Sequence, residues 1–125
     1  MGIRVFHRDE PQLMLPMIAK DARLIVWPGS GSHTANMNYV DMQAGERNVP
    51  HAHPESEDTI FILDGEGAIE DLTNGIKFDL RAGVVVHVPP GIVHAVMADK
   101  GVHIESVGGP SPPDMQMLVK MGAIK

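Results

Sequence analysis

The sequence has no cysteine, so it contains neither disulfides nor thiolate ligands for a metal. No run approaches the ~18 apolar residues of a membrane-spanning helix, and the N-terminus lacks the apolar core of a secretory signal. The net charge of −6 argues against a surface for nucleic acid or for an anionic membrane. We therefore expect a cytoplasmic protein with no nucleic-acid partner and no membrane partner.

The length and composition are those of an ordinary globular domain. The chain has 125 residues, of which 43% are hydrophobic and 21% are charged. This length is sufficient for one hydrophobic core and is small for two. The sequence therefore predicts a single domain over residues 1–125, with no internal repeat and no low-complexity segment.

Short apolar segments separated by turn residues recur along the chain at near-regular spacing. This pattern is typical of β-strands in a sandwich or barrel. Asn74-Gly75 lies between two of the segments and is the strongest short hairpin signal. Residues 64–67, Asp-Gly-Glu-Gly, predict another turn. The predicted strands are residues 23–27, 37–42, 49–53, 58–63, 68–72, 76–80, 84–88, 94–97 and 102–107.

Two extensions flank the strand-rich region. Residues 6–19 carry prolines and a run of Met and Leu, which predicts an extended arm with a short strand. Prolines at positions 110, 112 and 113 exclude a helix interior there. Asp114 then offers an N-cap for a short helix over residues 114–121. The predicted fold class is all-β, a small barrel with an N-terminal arm and a short C-terminal helix.

Three of the seven histidines lie in two short segments. His51 and His53 are two residues apart, so strand alternation places both side chains on one face. A carboxylate follows within a few residues, and His94 follows a strand and a Pro-Pro-Gly turn. A lone histidine is more often solvated or part of a core, so the prediction depends on the joint pattern. Three imidazoles and one carboxylate form a ligand set suited to Fe, Mn, Ni, Cu or Zn.

The same two segments resemble the paired motifs of the cupin superfamily. The first family motif is a glycine, five residues, His-X-His, three or four residues, a glutamate, six residues and a glycine. The second is a glycine, five residues, Pro-X-Gly, two residues, a histidine, three residues and an asparagine. The matching positions in this chain are Gly45, His51, His53 and Gly65 for the first motif, and Gly83, Pro89, Gly91 and His94 for the second.

The resemblance covers about residues 37–107 and implies a small single-domain cupin of the conserved-barrel type. The fold of that family is a double-stranded β-helix, also called a jelly roll. The resemblance also implies one divalent transition metal ion per chain, held by His51, His53, Asp58 and His94. The candidate ions are Fe, Mn, Ni, Zn and Cu. Four protein ligands would leave an octahedral ion with about two open positions for a small molecule.

The chain departs from the family motifs at two positions. Counting six residues back from Gly65 places the motif glutamate at Asp58, with Glu57 one position earlier. Strand alternation places Asp58 on the same face as Ile60, and Glu57 on the opposite face. The longer Glu57 could coordinate instead after a loop adjustment, so Asp58 is the expected ligand and Glu57 the alternative. Ala98 stands where the family often has asparagine, which is not a ligand in the motif.

Several other side chains are candidates for roles in or near the predicted site. His87 is either a pocket residue or a surface residue. His103 and Glu105 share one face of the last predicted strand, where they form either an acid–base pair or an exposed polar pair. The candidates for apolar walls of the pocket are Ile60, Ile62 and Val96, which share faces with proposed ligands, and further Met37, Met42 and Phe78.

Phe61 and Leu63 are large apolar residues on the strand face opposite Asp58. Either a second sheet of the same chain or a partner subunit must cover them. The arm at residues 13–18 could equally be a strand exchanged between subunits. We expect a homodimer, because exposed apolar patches mark interfaces and because the cupins that this chain resembles are commonly dimers.

Three classes of function compete. The first is a metal-dependent enzyme that acts on a small oxygenated metabolite, either dioxygenase-like or an isomerase or lyase. The second is a non-catalytic protein that binds a sugar or organic acid, and the third is a storage-like metal barrel. The complete ligand set and the open metal positions favour the enzyme. The fold itself does not choose among these classes, and no catalytic residue is assigned beyond the metal ligands.

Overall fold

The structure is a computed structural model, described for residues 2–125, with eight β-strands and one α-helix in that range. A single 3-10 turn, Pro28–Ser30, lies after the second strand. None of the helices in the described range has the length and apolar character needed to cross a membrane. The elements are β1 (Leu13–Met14), β2 (Ala22–Val26), β3 (Met37–Met42), β4 (Glu57–Asp71), β5 (Ile76–Arg81), β6 (Val85–Val88), β7 (His94–Ala98), β8 (Ile104–Ser111) and α1 (Met115–Lys120).

The strands pair in an antiparallel manner, and β4 belongs to two groups of them. The first half of β4 pairs with β6 on one side and with β8 on the other. From β8 the sheet continues through β3 and β2 to β1. The second half of β4 pairs with β5 and β7. The predicted all-β barrel is therefore confirmed, with strand β4 as the element that joins its two parts.

The predicted turn at residues 64–67 is wrong, because β4 runs without interruption from Glu57 to Asp71. Gly65 has a φ of +94°, and a Cβ there would lie 1.8 Å from the carbonyl oxygen of His103. The register between β4 and β8 shifts between Ile62 and Asp64. The strand thus has a bulge just before Gly65 and continues from one sheet into the other, and the glycine allows the close approach of the His103 carbonyl.

Local turn and cap signals predict two other features correctly. The Asn74-Gly75 hairpin joins β4 to β5, and Asp71 pairs with Ile76 at its base. The short C-terminal helix is also confirmed. Its N-cap is Asp114, whose Oδ1 accepts a hydrogen bond of 3.0 Å from the backbone N–H of Met117.

Both extensions pack against the main hydrophobic core. The core centre consists of Leu24, Met42, Ile62 and Ile104, each only 1% exposed. The arm contributes the buried side chain of Leu15 and α1 contributes that of Leu118. The short strand β1 pairs with β2 of the same chain. The arm and the helix therefore both contribute side chains to the one main core.

Phe61 and Leu63 lie on the outer face of β4, as strand alternation predicts. Their exposed fractions are 43% and 41%, whereas Ile62 between them is 1% exposed. The same alternation therefore separates a covered face from an open face along this part of the strand. The homodimer that would cover the outer side chains stays a prediction.

Candidate metal centre

Four polar side chains from three parts of the chain meet inside the barrel. They are His51 and His53 from the segment before β4, Asp58 near the start of β4, and His94 at the start of β7. All four are buried, with exposed fractions between 2% and 8%. One ligand atom from each can be chosen so that all lie within 4.8 Å of one another. The group has the composition and spacing to hold a metal ion.

The backbone pairing of His51 with His94 brings the two family segments together. The N–H of His51 donates to the carbonyl of His94 at 3.1 Å, and the N–H of His94 donates back at 2.9 Å. The predicted strand at residues 49–53 is otherwise wrong, because only this isolated bridge forms. Pro50 and Pro54 flank the two histidines and lack the N–H groups that a longer ladder requires.

Adjacent residues at the start of β4 have opposite orientations. Asp58 is 6% exposed and lies in the cluster. The outer side chain is that of Glu57, whose Oε1 lies 2.7 Å from Nε2 of His87. Both members of this outer pair are more than half exposed, so His87 is a surface residue. The structure thus places Asp58 rather than Glu57 beside the three imidazoles.

The hydrogen bonds of the three imidazoles select one tautomer. Nδ1 of His51 lies 2.7 Å from the carbonyl oxygen of Val49, and Nδ1 of His94 lies 2.9 Å from that of Ile92. A carbonyl oxygen only accepts hydrogen bonds, so each Nδ1 carries the proton and donates it. Nδ1 of His53 lies 2.8 Å from Oδ2 of Asp114. In the neutral form, all three histidines then present the lone pair of Nε2 to the interior of the cluster.

Two of the three Nε2 atoms lie close to the Asp58 carboxylate. Oδ2 of Asp58 lies 3.4 Å from Nε2 of His53 and 3.6 Å from Nε2 of His94. Among the described residues, Oδ1 of Asp58 and Nε2 of His94 are buried without a hydrogen-bond partner. Such atoms are expensive to leave unsatisfied, at about 1–3 kcal/mol each. A cation bound between these atoms would satisfy them.

The spacing also agrees with the size of a transition metal site. Metal–nitrogen and metal–oxygen bonds are about 2.0–2.2 Å for Zn, so ligand atoms on opposite sides of such an ion lie about 4 Å apart. The four candidate ligand atoms of the cluster lie within 4.8 Å of one another, close to this separation. A mixed set of imidazole and carboxylate suits Zn, Cu, Fe, Ni and Mn. The residues present therefore fit the metal that the sequence predicts.

The electrostatics of the cluster favour a cation. Burial lowers the pKa of His51, which keeps its imidazole neutral. Burial also acts to lower the pKa of His53, but the carboxylates of Asp58 and Asp114 outweigh it and raise that pKa. Burial would raise the pKa of Asp58, yet its contacts with His53 and His94 lower it instead. An ionised carboxylate thus lies at the centre of the three rings.

A comparison with protein families assigns the chain. The family model described as "Cupin domain" matches residues 38–104, more than half of the 125 residues. The chain belongs to the cupin family. The match extends from the second residue of β3 to the first residue of β8, so it includes all four candidate metal ligands.

Curated relatives of this cupin include oxalate oxidases from cereals. The oxalate oxidase GF-3.8 of Triticum aestivum is 32% identical over 80 residues, which cover 59% of this chain and 36% of the relative. Oxalate oxidase 2 of Hordeum vulgare is 34% identical over 74 residues, which cover 54% of this chain and 33% of the relative. The matched segment therefore spans about a third of the length of these relatives.

Solved structures share the fold at low sequence identity. The polyketide cyclase RemF from Streptomyces resistomycificus has a TM-score of 0.71 at 20% identity, covering 90% of this chain and 83% of that chain. KdgF from Halomonas sp. has a TM-score of 0.71 at 17% identity, and the alignment covers 94% of this chain and 100% of that chain. These likenesses support the cupin fold over nearly the whole chain.

The cluster of this cupin borders a small, mostly apolar cavity of about 50 Å³. The predicted wall residues Ile60, Ile62, Val96 and Met42 line it. Met37 does not line this cavity, so that prediction is wrong. Phe78 does not line it either, but it lines a second cavity of about 330 Å³ that also borders His94. The polar side chains that also line the first cavity, besides the candidate ligands, are Asn38, Asn48 and Ser106.

The sequence predicts no role at the metal centre for two side chains that the structure places near it, Asn48 and Asp114. Asn48 is 6% exposed, and its Oδ1 accepts a hydrogen bond of 2.9 Å from the N–H of Val96. It thereby ties the segment before His51 to the strand that carries His94. Asp114 was predicted only as a helix cap, and its contact with His53 spans 61 residues of sequence. No local pattern in the chain signals a contact at that separation.

His103 and Glu105 do not form a pair with one another. Nδ1 of His103 lies 2.8 Å from Oδ1 of Asp41, and Nε2 lies 3.0 Å from Oδ2 of Asp64. Glu105 accepts a hydrogen bond from the hydroxyl of Tyr39 instead. His103 has a side chain that is 40% exposed, and neither it nor Glu105 lines the cavity beside the cluster. The alternative of an acid–base pair between them is therefore wrong.

Proposed function

We propose that this cupin binds one divalent transition metal ion through His51, His53, Asp58 and His94, and that it catalyses an oxygen-dependent reaction of a small oxygenated metabolite. The observation that carries the proposal is the meeting of three buried imidazoles and one carboxylate, with ligand atoms within 4.8 Å of one another, beside a cavity. The names of the oxalate oxidase relatives support an oxidation. The chain matches only part of those relatives, so their substrate is not transferred to it.

The protein residues would prepare this site before a metal arrives. The carbonyl oxygens of Val49 and Ile92 fix the protons of His51 and His94 on Nδ1. Asp58 supplies the one negative charge among the proposed ligands, and the Asp114 carboxylate behind His53 adds a second one nearby, so both would offset the charge of a divalent ion. When bound, such an ion supplies Lewis acidity and a template for a chelating substrate.

The cavity limits what the substrate can be. A volume of about 50 Å³ holds on the order of four water molecules, and the second cavity of about 330 Å³ also borders His94, so together they suit a small metabolite. The walls of the first cavity are mainly aliphatic, which excludes water and strengthens the charge interactions inside. Asn38 and Ser106 line the cavity and offer hydrogen bonds to oxygen atoms of a substrate.

The charge of the cavity wall also bears on the class of substrate. No lysine or arginine is among the described residues that line the cavity. A substrate anion would therefore interact with the metal ion and not with a basic side chain of this cavity. Small oxo acids, enols and diols with two chelating oxygens have the required chemistry.

The test begins with metal content and continues with turnover. Protein purified without added metal should be analysed for bound elements, stripped with a chelator and reloaded with Fe(II), Mn(II), Ni(II), Cu(II) or Zn(II). We expect about one ion per chain and oxygen uptake with a small oxo acid, enol or diol that disappears on stripping. The His94→Ala variant, treated in the same way, is the control for activity that does not require the site.

Other outcomes would contradict the proposed site or indicate a different class of function. Absence of metal binding by the wild-type protein would contradict the proposed site. Metal-dependent turnover without oxygen consumption would instead show an isomerase or lyase. Tight binding of a small acid or sugar, without turnover in air or under nitrogen, would show the non-catalytic binding protein.

A further inference from the structure

The Asp114 carboxylate makes two hydrogen bonds that connect the candidate metal centre to the C-terminal helix. Its Oδ1 accepts from the backbone N–H of Met117 at 3.0 Å, which caps α1. Its Oδ2 accepts from Nδ1 of His53 at 2.8 Å. The carboxylate is only 12% exposed, so both bonds are shielded from water. One side chain thus sets the start of a helix and the orientation of a proposed ligand.

His53 differs from the other two histidines in how its Nδ1 is held. His51 and His94 each donate to a backbone carbonyl two residues earlier in the chain. Those bonds form within one short segment and do not require the rest of the fold. The Nδ1 of His53 has a side-chain acceptor from a segment 61 residues away. Its orientation therefore depends on whether the C-terminal segment is in place.

The segment that follows His53 is fastened to the same C-terminal region by a second bond. The hydroxyl of Ser56 donates to the carbonyl oxygen of Pro112 at 2.6 Å. Further along α1, Leu118 is 6% exposed and belongs to the hydrophobic core. The helix is therefore docked by two polar contacts near the proposed ligands and by one buried apolar side chain.

The helix also forms part of the wall next to the cluster. A small cavity of about 40 Å³ is lined by His51, His53 and Asp58 on one side. From α1 and the residue that follows it, the lining side chains are Met117, Leu118 and Met121. Displacement of the helix would open this side of the cluster to solvent. Docking of α1 and the integrity of the site are thus joined in space as well as through Asp114.

We infer that Asp114 is a positioning residue that orients His53 for metal binding and makes metal occupancy and docking of α1 stabilise one another. The inference rests on the proposed metal site. A carboxylate behind a metal-bound histidine fixes the ring and strengthens the ligand, and its loss typically weakens metal affinity about 10–100-fold. Coupling between two sites is reciprocal, so a metal that favours the docked helix is itself favoured by docking.

Substitutions at position 114 separate the two roles of the carboxylate. Asparagine and serine are good N-caps, so Asp114→Asn and Asp114→Ser keep the cap of α1. With its oxygen on the helix cap, asparagine turns its NH2 group, a donor, toward the Nδ1–H of His53, while serine is too short to reach both. Asp114→Ala removes both bonds. Glu55→Gln removes an exposed carboxylate two residues from His53 and is the matched control for charge.

The probe is Zn(II) or Co(II) alone, with affinity measured by competition against a chromogenic chelator. We expect Asp114→Asn and Asp114→Ser to bind about 10–100-fold more weakly than the wild-type protein, and Glu55→Gln to bind normally. The electronic spectrum of bound Co(II) should also change in the two position-114 variants, because the histidine geometry is altered.

A second measurement reads the coupling from the helix. Hydrogen exchange at the amides of residues 117–121 should slow when Zn(II) is added to the wild-type protein, and should slow less in Asp114→Asn. Normal affinity in Asp114→Asn and Asp114→Ser, with loss only in Asp114→Ala, would show that Asp114 is a helix cap alone. Wild-type protein that binds neither ion would instead contradict the proposed function itself.

Discussion

Glu57 and Asp58 are neighbours in sequence and point to opposite sides of β4. The Glu57 carboxylate is on the outer face, 2.7 Å from His87, while the Asp58 carboxylate is inside, 3.4 Å from His53. The separation follows from the two-residue period of a strand. One carboxylate is thus in water and the other is enclosed by imidazoles, although their side chains differ by one methylene.

Alanine at these two positions should give opposite results. Asp58→Ala removes the central carboxylate, so we expect metal affinity to fall by more than the ~10–100-fold typical of losing a group behind a ligand. Glu57→Ala removes only an exposed pair with His87, so we expect affinity to be unchanged and stability to change by less than about 1 kcal/mol. Chelator competition measures the first quantity and urea unfolding the second. The reverse order of metal affinities would assign coordination to Glu57.

Two histidines near the same end of the barrel provide a second comparison. His94→Ala removes a buried ring whose Nε2 faces the cluster, so bound metal should fall well below one ion per chain. His87→Ala removes a ring on the outer face and should leave metal content unchanged. Elemental analysis of both proteins, with circular dichroism to check the fold, makes this comparison. Equal metal content in the two variants would contradict the site.

Gly65 and Gly75 both have positive φ but differ in the space around them. Gly75→Ala meets nothing within 4 Å, so we expect only the left-handed backbone penalty, about 1–2 kcal/mol. At Gly65 a Cβ would lie 1.8 Å from the His103 carbonyl oxygen, so overpacking should add at least about 1–3 kcal/mol. Urea unfolding of the two variants tests the difference. Equal free energies of unfolding would show that the close approach of the His103 carbonyl does not require a glycine at position 65.

His103 should make folding stability depend on pH. Hydrogen bonds with Asp41 and Asp64, at its two ring nitrogens, raise the pKa of His103 above its ordinary value of about 6.5. Both nitrogens donate only in the protonated ring, so the folded state binds that proton more tightly than the unfolded chain does. The resulting stabilisation is fully present below about pH 6.5 and is lost as the pH rises through the folded pKa.

Proton NMR can follow this titration directly. The midpoint for His103 should lie above that of an unstructured histidine, and Asp64→Asn should lower it. The free energy of unfolding of the wild-type protein should exceed that of Asp64→Asn by more at pH 6 than at pH 9. A His103 midpoint at or below about 6.5 would contradict the ion-pair description.

Features set by nearby residues could be predicted from the sequence. The Asn74-Gly75 hairpin and the Asp114 cap depend on bonds that span only three to five residues, so their residue types suffice. The inward orientation of Ile60 and Ile62 follows from alternation along one strand. The four candidate ligands can be predicted because each of the two motifs is a short stretch of sequence that carries its own ligand side chains.

Features set by distant partners could not be predicted in this way. Gly65 has the composition of a turn, but its role is fixed by the backbone of β8, which passes against it. The segment around His51 alternates like a strand, yet prolines on both sides leave it a single bridge. The bond from Asp114 to His53 exists only after the barrel has closed. Each of these depends on contacts that no short stretch of sequence contains.

The shared strand β4 has a consequence for how the chain is made in the cell. It pairs with β5, β6, β7 and β8, all of which are synthesised after it, and its N-terminal half reaches its β8 partner only at residues 104–111. Until those residues leave the ribosome, one edge of β4 is unpaired, and such edges promote association between chains. Long-range pairing of this kind is also slow to form. The amount of folded protein obtained should therefore depend on the rate and temperature of translation as much as on the stability of the finished barrel.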